Sequence, residues 1–149
     1  EWVPSHQESI PIGYTLLRHK GSDLTIASYG AGIHRLMSLN EELKPTCSLD
    51  ILELATISPI DMAPIIRSLK KTQRLLVFHE GTRTGDMGAE ILTRVTEAGI
   101  QLKSFERLTG WDIPYPYPSH EGVYCSSDDD LRLCLLTLCE QAHKQKTNI

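Results

Sequence analysis

The chain has 149 residues, 40% of them hydrophobic and 23% charged, with a formal net charge of −4. That length suits one domain, the balance is ordinary for a globular protein, and the acidic surplus leaves no electrostatic case for nucleic acid. No apolar run approaches the roughly 20 residues that cross a bilayer, so neither nucleic acid nor membrane is an expected partner.

The start, Glu1-Trp2-Val3-Pro4, lacks the basic and apolar stretches of a signal peptide and reads as cut from a longer chain. Residues 1–13, with Pro4, Pro11 and Gly13, read as a linker or arm from a preceding domain, and residues 14–149 as the domain. Tyr14 to Arg18 is a short predicted strand, and Leu24 to Ser28 a compact one of buried residue types. Gly30 and Gly32 then break the chain. Ile33, Leu36, Met37, Leu39 and Leu43 follow a helical period, which Pro45 ends.

Ser48 to Leu54 is the next predicted strand, and Ser58-Pro59 a turn. Asp61 suits a helix cap. Pro64 falls at the third helical position, where no amide bond is lost. Ile65, Ile66 and Leu69 form the inner face, and Lys70-Lys71 read as a solvated helix end. Arg74 to Phe78 is a nearly continuous apolar run, as in a parallel strand covered on both faces. A loop is expected over 79–85. A helix follows with Met87, Ile91, Leu92 and Val95, stopping near Gly99, and then a strand over Leu102 to Leu108. Three prolines (Pro114, Pro116, Pro118) make Gly110 to Gly122 irregular. Ser127 to Asp130 fits a capping box for a last helix with Leu131, Cys134, Leu135 and Leu138 on one face. Alternating strands and helices predict an open α/β sheet covered on both sides.

Four cysteines (Cys47, Cys125, Cys134, Cys139) lack C-x-x-C spacing. Reduced, buried thiols are expected, which favours the cytosol of a bacterium or a mitochondrial matrix. Gly30-Ala31-Gly32 sits where a dinucleotide fingerprint would lie, with Glu53 as ribose partner, but Arg35 occupies the third glycine position, so a plain turn is the better reading. The loop after His79 lies at the sheet edge where ligands collect. His79 and Glu80 could form an acid–base pair, yet neighbours on a strand face opposite ways. They, with Arg83 and Thr84, are better read as contacts to neighbouring loops or to a partner subunit. Trp111, Tyr115 and Tyr117, in the extended stretch Trp111-Asp112-Ile113-Pro114-Tyr115-Pro116-Tyr117, suit an interface. A G-x-S-x-G motif and paired histidines at metal-ligand spacing are missing from the sequence.

Several stretches, taken in order, resemble the beta subunit of the decarboxylating component of 2-oxo acid dehydrogenases. They are Ile10-Pro11-Ile12-Gly13 with Gly21-Ser22-Asp23-Leu24-Thr25-Ile26; Leu52-Glu53-Leu54 to Pro59-Ile60-Asp61; Ser68-Leu69-Lys70-Lys71-Thr72 into Arg74 to Glu80; Gly88-Ala89-Glu90-Ile91; and Leu108-Thr109-Gly110-Trp111-Asp112 to Pro116. The branched-chain and pyruvate members look most alike. The resemblance implies the C-terminal domain shared with transketolase: a three-layer α/β/α sandwich with a five-stranded mixed sheet and one antiparallel strand. It also implies thiamine diphosphate and magnesium in the intact enzyme, held by other domains, and no catalytic, cofactor-binding or metal residue here. The implied partners are an alpha subunit or fused alpha region, a second copy of the chain, and the lipoyl acyltransferase core. In some members the core docks near the chain end, which makes Ile149 a candidate contact. Ala55 stands where the family usually has arginine, Gly85-Asp86 replaces paired glycines, and the segment from Leu39 to Ser48 looks short. Two alternatives accompany this reading: the matching domain of a transketolase or deoxyxylulose phosphate synthase, and a stand-alone nucleotide or small-anion module.

Overall fold

The computed structural model describes residues 9–147. The described residues form one five-stranded sheet in the order β1-β3-β2-β4-β5. The strands are β1 Thr15–His19, β2 Leu24–Ser28, β3 Leu49–Leu54, β4 Arg74–Thr82 and β5 Ser104–Gly110. The edge strand β1 runs antiparallel to β3 with a bulge between Leu17 and His19, and the other pairings are parallel. Helices α1 (Ala31–Leu43), α2 (Met62–Thr72), α3 (Met87–Glu97) and α5 (Asp128–Thr147) cover the sheet, and a four-residue α4 (Glu121–Tyr124) follows a 3-10 turn.

The pleat sorts the strand side chains into two layers. Leu24, Ile26, Leu49, Ile51, Leu76 and Phe78 pack under α1 and α5, against Ile33, Leu36, Leu131, Leu135 and Leu138. Ala27, Leu52, Leu54, Leu75 and Val77 pack under α2 and α3, against Ile65, Leu69, Ile91 and Val95. This is the expected three-layer sandwich. Every residue of the central strand β2 is buried, as a strand covered on both faces requires.

Local chemistry sets the helix starts. Gly30 takes φ 62°, which an unbranched backbone reaches at little cost, so α1 begins two residues before the periodic pattern at Ile33. Asp61 caps α2 by accepting from the Ala63 amide at 3.1 Å. Ser127 and Asp130 form the expected capping box at the head of α5: each backbone N–H donates to the other's side chain, over 2.9 and 3.1 Å. The Ser58–Pro59 bond at the turn before α2 is cis.

Four expectations are corrected. The loop expected from His79 begins later, because β4 continues to Thr82, where it still registers with Gly110. The irregular stretch 110–122 contains a 3-10 turn at 118–120 and runs into α4; a proline is tolerated in a first helical turn. Lys71 is not simply solvated, since its ammonium pairs with buried Asp50 at 2.9 Å. None of the four cysteines forms a disulfide among the described residues, but Cys125 and Cys134 are only partly buried. No helix among the described residues is long and apolar enough to cross a membrane.

Candidate functional site

In the parallel part of the sheet the chain leaves β2 for β3 on one side and later returns to β4 on the other. The carboxyl ends of β2 and β4 therefore form the switch point where ligand crevices open in such sheets. Ser28 registers with Phe78, so the next residues, Tyr29 and His79, are neighbours. Their rings stack at 5.4 Å with 16° between planes.

His79 is buried and Glu80, facing the other way, is exposed. The two do not converge, as the pleat requires. The Gly81 N–H donates to His79 Nδ1 at 3.1 Å, which places the ring proton on Nε2. Nε2 then donates to Asp86 Oδ2 at 3.0 Å. Asp86 caps α3 by accepting from the Ala89 N–H at 2.8 Å and accepts from Arg107 Nη1 at 2.7 Å. Burial pushes the Asp86 carboxyl up, but the Ala89, Arg107 and His79 hydrogen bonds outweigh it and hold the group below the usual carboxylate range. Tyr29 is raised, first by burial and then by the Asp86 charge.

This arrangement fills the head of α3 with a carboxylate and so opposes an anion there. At the head of α1, a Cβ on Gly32 would lie 2.7 Å from Ser28 Oγ and 3.2 Å from the Phe78 ring. Gly32 thus serves close helix–strand packing. Arg35 stands over Phe78, 5.1 Å from the ring centroid, and bonds Asp128 and the Ser126 carbonyl, each at 2.6 Å. Its bulk is accommodated by contacts that tie α1 to α5, which fits a turn better than a dinucleotide cradle. Among the described residues no three His, Cys, Asp or Glu side chains gather as metal ligands would.

The two candidate surface stretches meet. The Thr84 N–H and hydroxyl donate to Asp112 at 2.8 and 2.7 Å, and the hydroxyl bond leads in holding the Asp112 carboxyl below its usual range. Arg83 Nη1 donates to the Arg107 carbonyl at 2.9 Å. From this joint the aromatic stretch projects outward. Trp111 is 67% exposed, Tyr115 62% and Tyr117 84%, with Ile113, Val123 and Leu133 also exposed beside them. Tyr115 meets Tyr124 edge to face at 4.9 Å. A cleft of about 380 Å³ lies among Trp111, Ile113, Pro116, His120, Val123 and Tyr124. Exposed apolar side chains grouped in this way are a feature that contact surfaces carry in general. Ile149 lies outside the described residues.

Edge strand β5 pairs with β4 alone among the described residues. Its Arg107 and Thr109 carbonyls lie two residues apart, hence on one side of the strand. They are taken by Arg83 and by Ser126 Oγ, the latter at 3.1 Å. Occupied carbonyls blunt an edge against an added strand, so at this end of the sheet the exposed groups are the apolar side chains beyond β5. Arg107 and Tyr124 carry no local sequence signal. Their roles follow from the β4–β5 register and from the return of 110–124 over Gly110.

The family model described as the transketolase C-terminal domain matches residues 13–129. The chain is 32% identical over 134 residues to a pyruvate dehydrogenase E1 component subunit beta of Staphylococcus aureus, and 31% to that of Staphylococcus epidermidis. Each match covers 88% of this chain and 41% of the relative, so the chain spans about two fifths of those proteins' length. Among solved structures it is similar to a split gene transketolase, described as an inactive beta4 tetramer, with a TM-score of 0.71 at 18% identity over 85% of this chain and 43% of that one. It is also similar to the 2-oxoglutarate:ferredoxin oxidoreductase of Magnetococcus marinus, with a TM-score of 0.56 at 8% identity over 85% of this chain and 19% of that one. At those identities the two structures speak to the fold, which they share with the sheet order and layers described above. The family match over most of the described residues settles the relationship: the chain belongs to the transketolase C-terminal domain family.

Proposed function

We propose that this chain is the C-terminal assembly domain of the decarboxylating component of a 2-oxo acid dehydrogenase, as a beta subunit or part of a fused alpha-beta chain. The intact enzyme would oxidatively decarboxylate a 2-oxo acid of the pyruvate or branched-chain type and pass the acyl group to a lipoyl acyltransferase. The observation that carries this reading is the 32% identity to a pyruvate dehydrogenase beta subunit along 88% of the chain.

The Asp86 carboxylate that fills the head of α3 at the switch point is a poor seat for the pyrophosphate of thiamine diphosphate. No chemical step would then run through this domain. The cofactor would supply the carbanion chemistry from other parts of the enzyme, and residues 1–13 would lead in from a preceding domain. The exposed Trp111, Tyr115 and Tyr117 surface supports a role in pairing with an alpha subunit, a second copy or the acyltransferase core. Cysteines that form no disulfide among the described residues favour a reducing compartment, the bacterial cytosol or a mitochondrial matrix.

The test is reconstitution. Residues 1–149 joined behind the N-terminal part of a pyruvate dehydrogenase beta subunit, and mixed with its alpha subunit, should form a complex that decarboxylates a 2-oxo acid. The chain alone should show no turnover. Turnover by the isolated chain, or two-carbon transfer between sugar phosphates by the reconstituted enzyme in place of decarboxylation, would overturn the proposal.

A further inference from the structure

On the opposite side of the molecule from the aromatic stretch, α2 leans over the β1–β3 pair. Pro64, Arg67, Ser68 and Lys71 recur at helical spacing and so share one face of α2. With Leu17, Lys20, Asp50 and Leu52 they line a cavity of about 190 Å³. Its floor is a buried polar chain. Asp50 accepts from the Gly21 N–H at 2.9 Å, from the Ser68 hydroxyl and from Lys71 Nζ at 2.9 Å. Thr25 links Ser68 and Thr72 behind it, each at 2.6 Å.

This floor fixes the local charge. Asp50 is 3% exposed and its two oxygens are engaged, so its negative charge is matched by Lys71. Arg67 and Lys20 line the same cavity and make no ion pair among the described residues. Three cations against one carboxylate leave a surplus of two positive charges on a concave surface, in a chain whose overall charge is −4. Leu17, Leu52 and Pro64 give the walls an apolar part, and low-dielectric walls strengthen the field at the mouth. Arg67 offers a planar fork suited to phosphoryl oxygens, and Lys20 a point charge.

We propose that this cavity is a binding site for a small phosphoryl dianion, either free phosphate or a short phosphate monoester whose carbon end rests on Leu17 and Pro64. The site is independent of the assembly role, because it lies on β1, β3 and α2 and shares no residue with the 79–86 and 111–124 surfaces.

The test titrates the chain at low salt with inorganic phosphate, glycerol phosphate and phosphatidic acid vesicles, using calorimetry and phosphorus NMR. The expected result is one saturable site for the two free phosphates, with a dissociation constant on the order of 1 mM. Arg67→Gln and Lys20→Gln should each weaken it about tenfold, while Arg132→Gln, which removes a charge on α5 on the other face of the sheet, should leave it unchanged. A flat titration with both free phosphates would overturn the proposal, as would equal weakening by Arg132→Gln or binding confined to the vesicles. Because both test positions are exposed, an unchanged circular dichroism spectrum and melting curve should accompany the loss.

Discussion

His79 Nε2 donates to Asp86 Oδ2 over 3.0 Å, and both side chains are 1% exposed. The bond joins the end of β4 to the head of α3. Since Asp86 also caps α3 and accepts from Arg107 on β5, one carboxylate holds two strands and a helix at the sheet's switch point. A site organised this way is braced. Its polar groups are spent on one another, which is why the exposed chemistry of the region lies outward, at Glu80, Arg83 and the aromatic stretch.

Asp86→Ala should destabilise the chain by about 3 kcal/mol, combining loss of a cap with loss of a buried charge that pairs with Arg107 and His79. Asp86→Asn keeps the capping oxygen and should cost less. The pH dependence has a definite sign. The folded-state carboxyl is depressed, so its contribution is present in full above the unfolded value of about 3.9. That contribution is lost as pH falls through the lower folded value. Urea unfolding from pH 6 down to pH 2 should therefore show a steeper acid loss for the native chain than for Asp86→Asn. Parallel curves would sink this account.

Gly110 ends β5 where Tyr124 folds back. A Cβ there would lie 2.6 Å from Tyr124 Cε1 and 2.7 Å from the Glu80 carbonyl oxygen. A ring can swing away, but the Glu80 backbone lies inside β4 and cannot. Gly110→Ala should cost about 2–4 kcal/mol and displace Tyr124 from Tyr115, weakening the near-ultraviolet dichroism of the tyrosines. An unchanged spectrum at unchanged stability would show that the 110–124 segment is held elsewhere.

The layers were legible because local rules agree there. The run Leu-Thr-Ile-Ala-Ser, Asp61 with Pro64, and Ser127 with Asp130 each give the same answer from propensity, capping and pattern, and the structure follows them. The end of β4 was not legible, because Glu80-Gly81-Thr82 has turn composition and is held extended by pairing with β5 near Gly110. Lys71 likewise looked like a helix end, since nothing in Lys70-Lys71 announces that Asp50, 21 residues earlier, lies beneath it. Of the surface residues, Trp111, Tyr115 and Tyr117 were readable from their composition. The partnership of Thr84 with Asp112 was not, because it depends on where β4 and β5 end.

Cys134 sits on α5 beside the β5 edge, and burial, followed by the Glu106 charge, pushes its thiol up to about 11. The thiolate is the reactive form, so at pH 8 Cys134 should label slowly with an aromatic disulfide reagent despite its partial exposure. Cys47 and Cys139 are buried in the core and should wait for unfolding. Mass spectrometry after brief labelling should find Cys134 modified far less in the native chain than in the urea-unfolded one. Rapid labelling of Cys134 at pH 8 would mean that α5 lifts from the sheet far more often than its packing against Leu36 and Phe78 allows.

Asn40 lies on α1 with 0% exposure, and neither amide atom of its side chain has a hydrogen-bond partner among the described residues. Leu36, Leu39 and Leu43 of the same helix belong to the apolar layer beneath α1. A buried amide without partners costs about 1–3 kcal/mol, and asparagine is also a poorer helix former than leucine. Asn40→Leu keeps the branching and heavy-atom count of the side chain and removes both penalties, while its methyl groups are bulkier than the amide. It should raise stability by about 1–2 kcal/mol, read as a higher urea midpoint at unchanged slope. Asn40→Asp places a charge in the same pocket and should do the opposite by a larger amount. A lower urea midpoint for Asn40→Leu would show instead that the added methyl bulk strains the packing by more than the unpartnered amide costs.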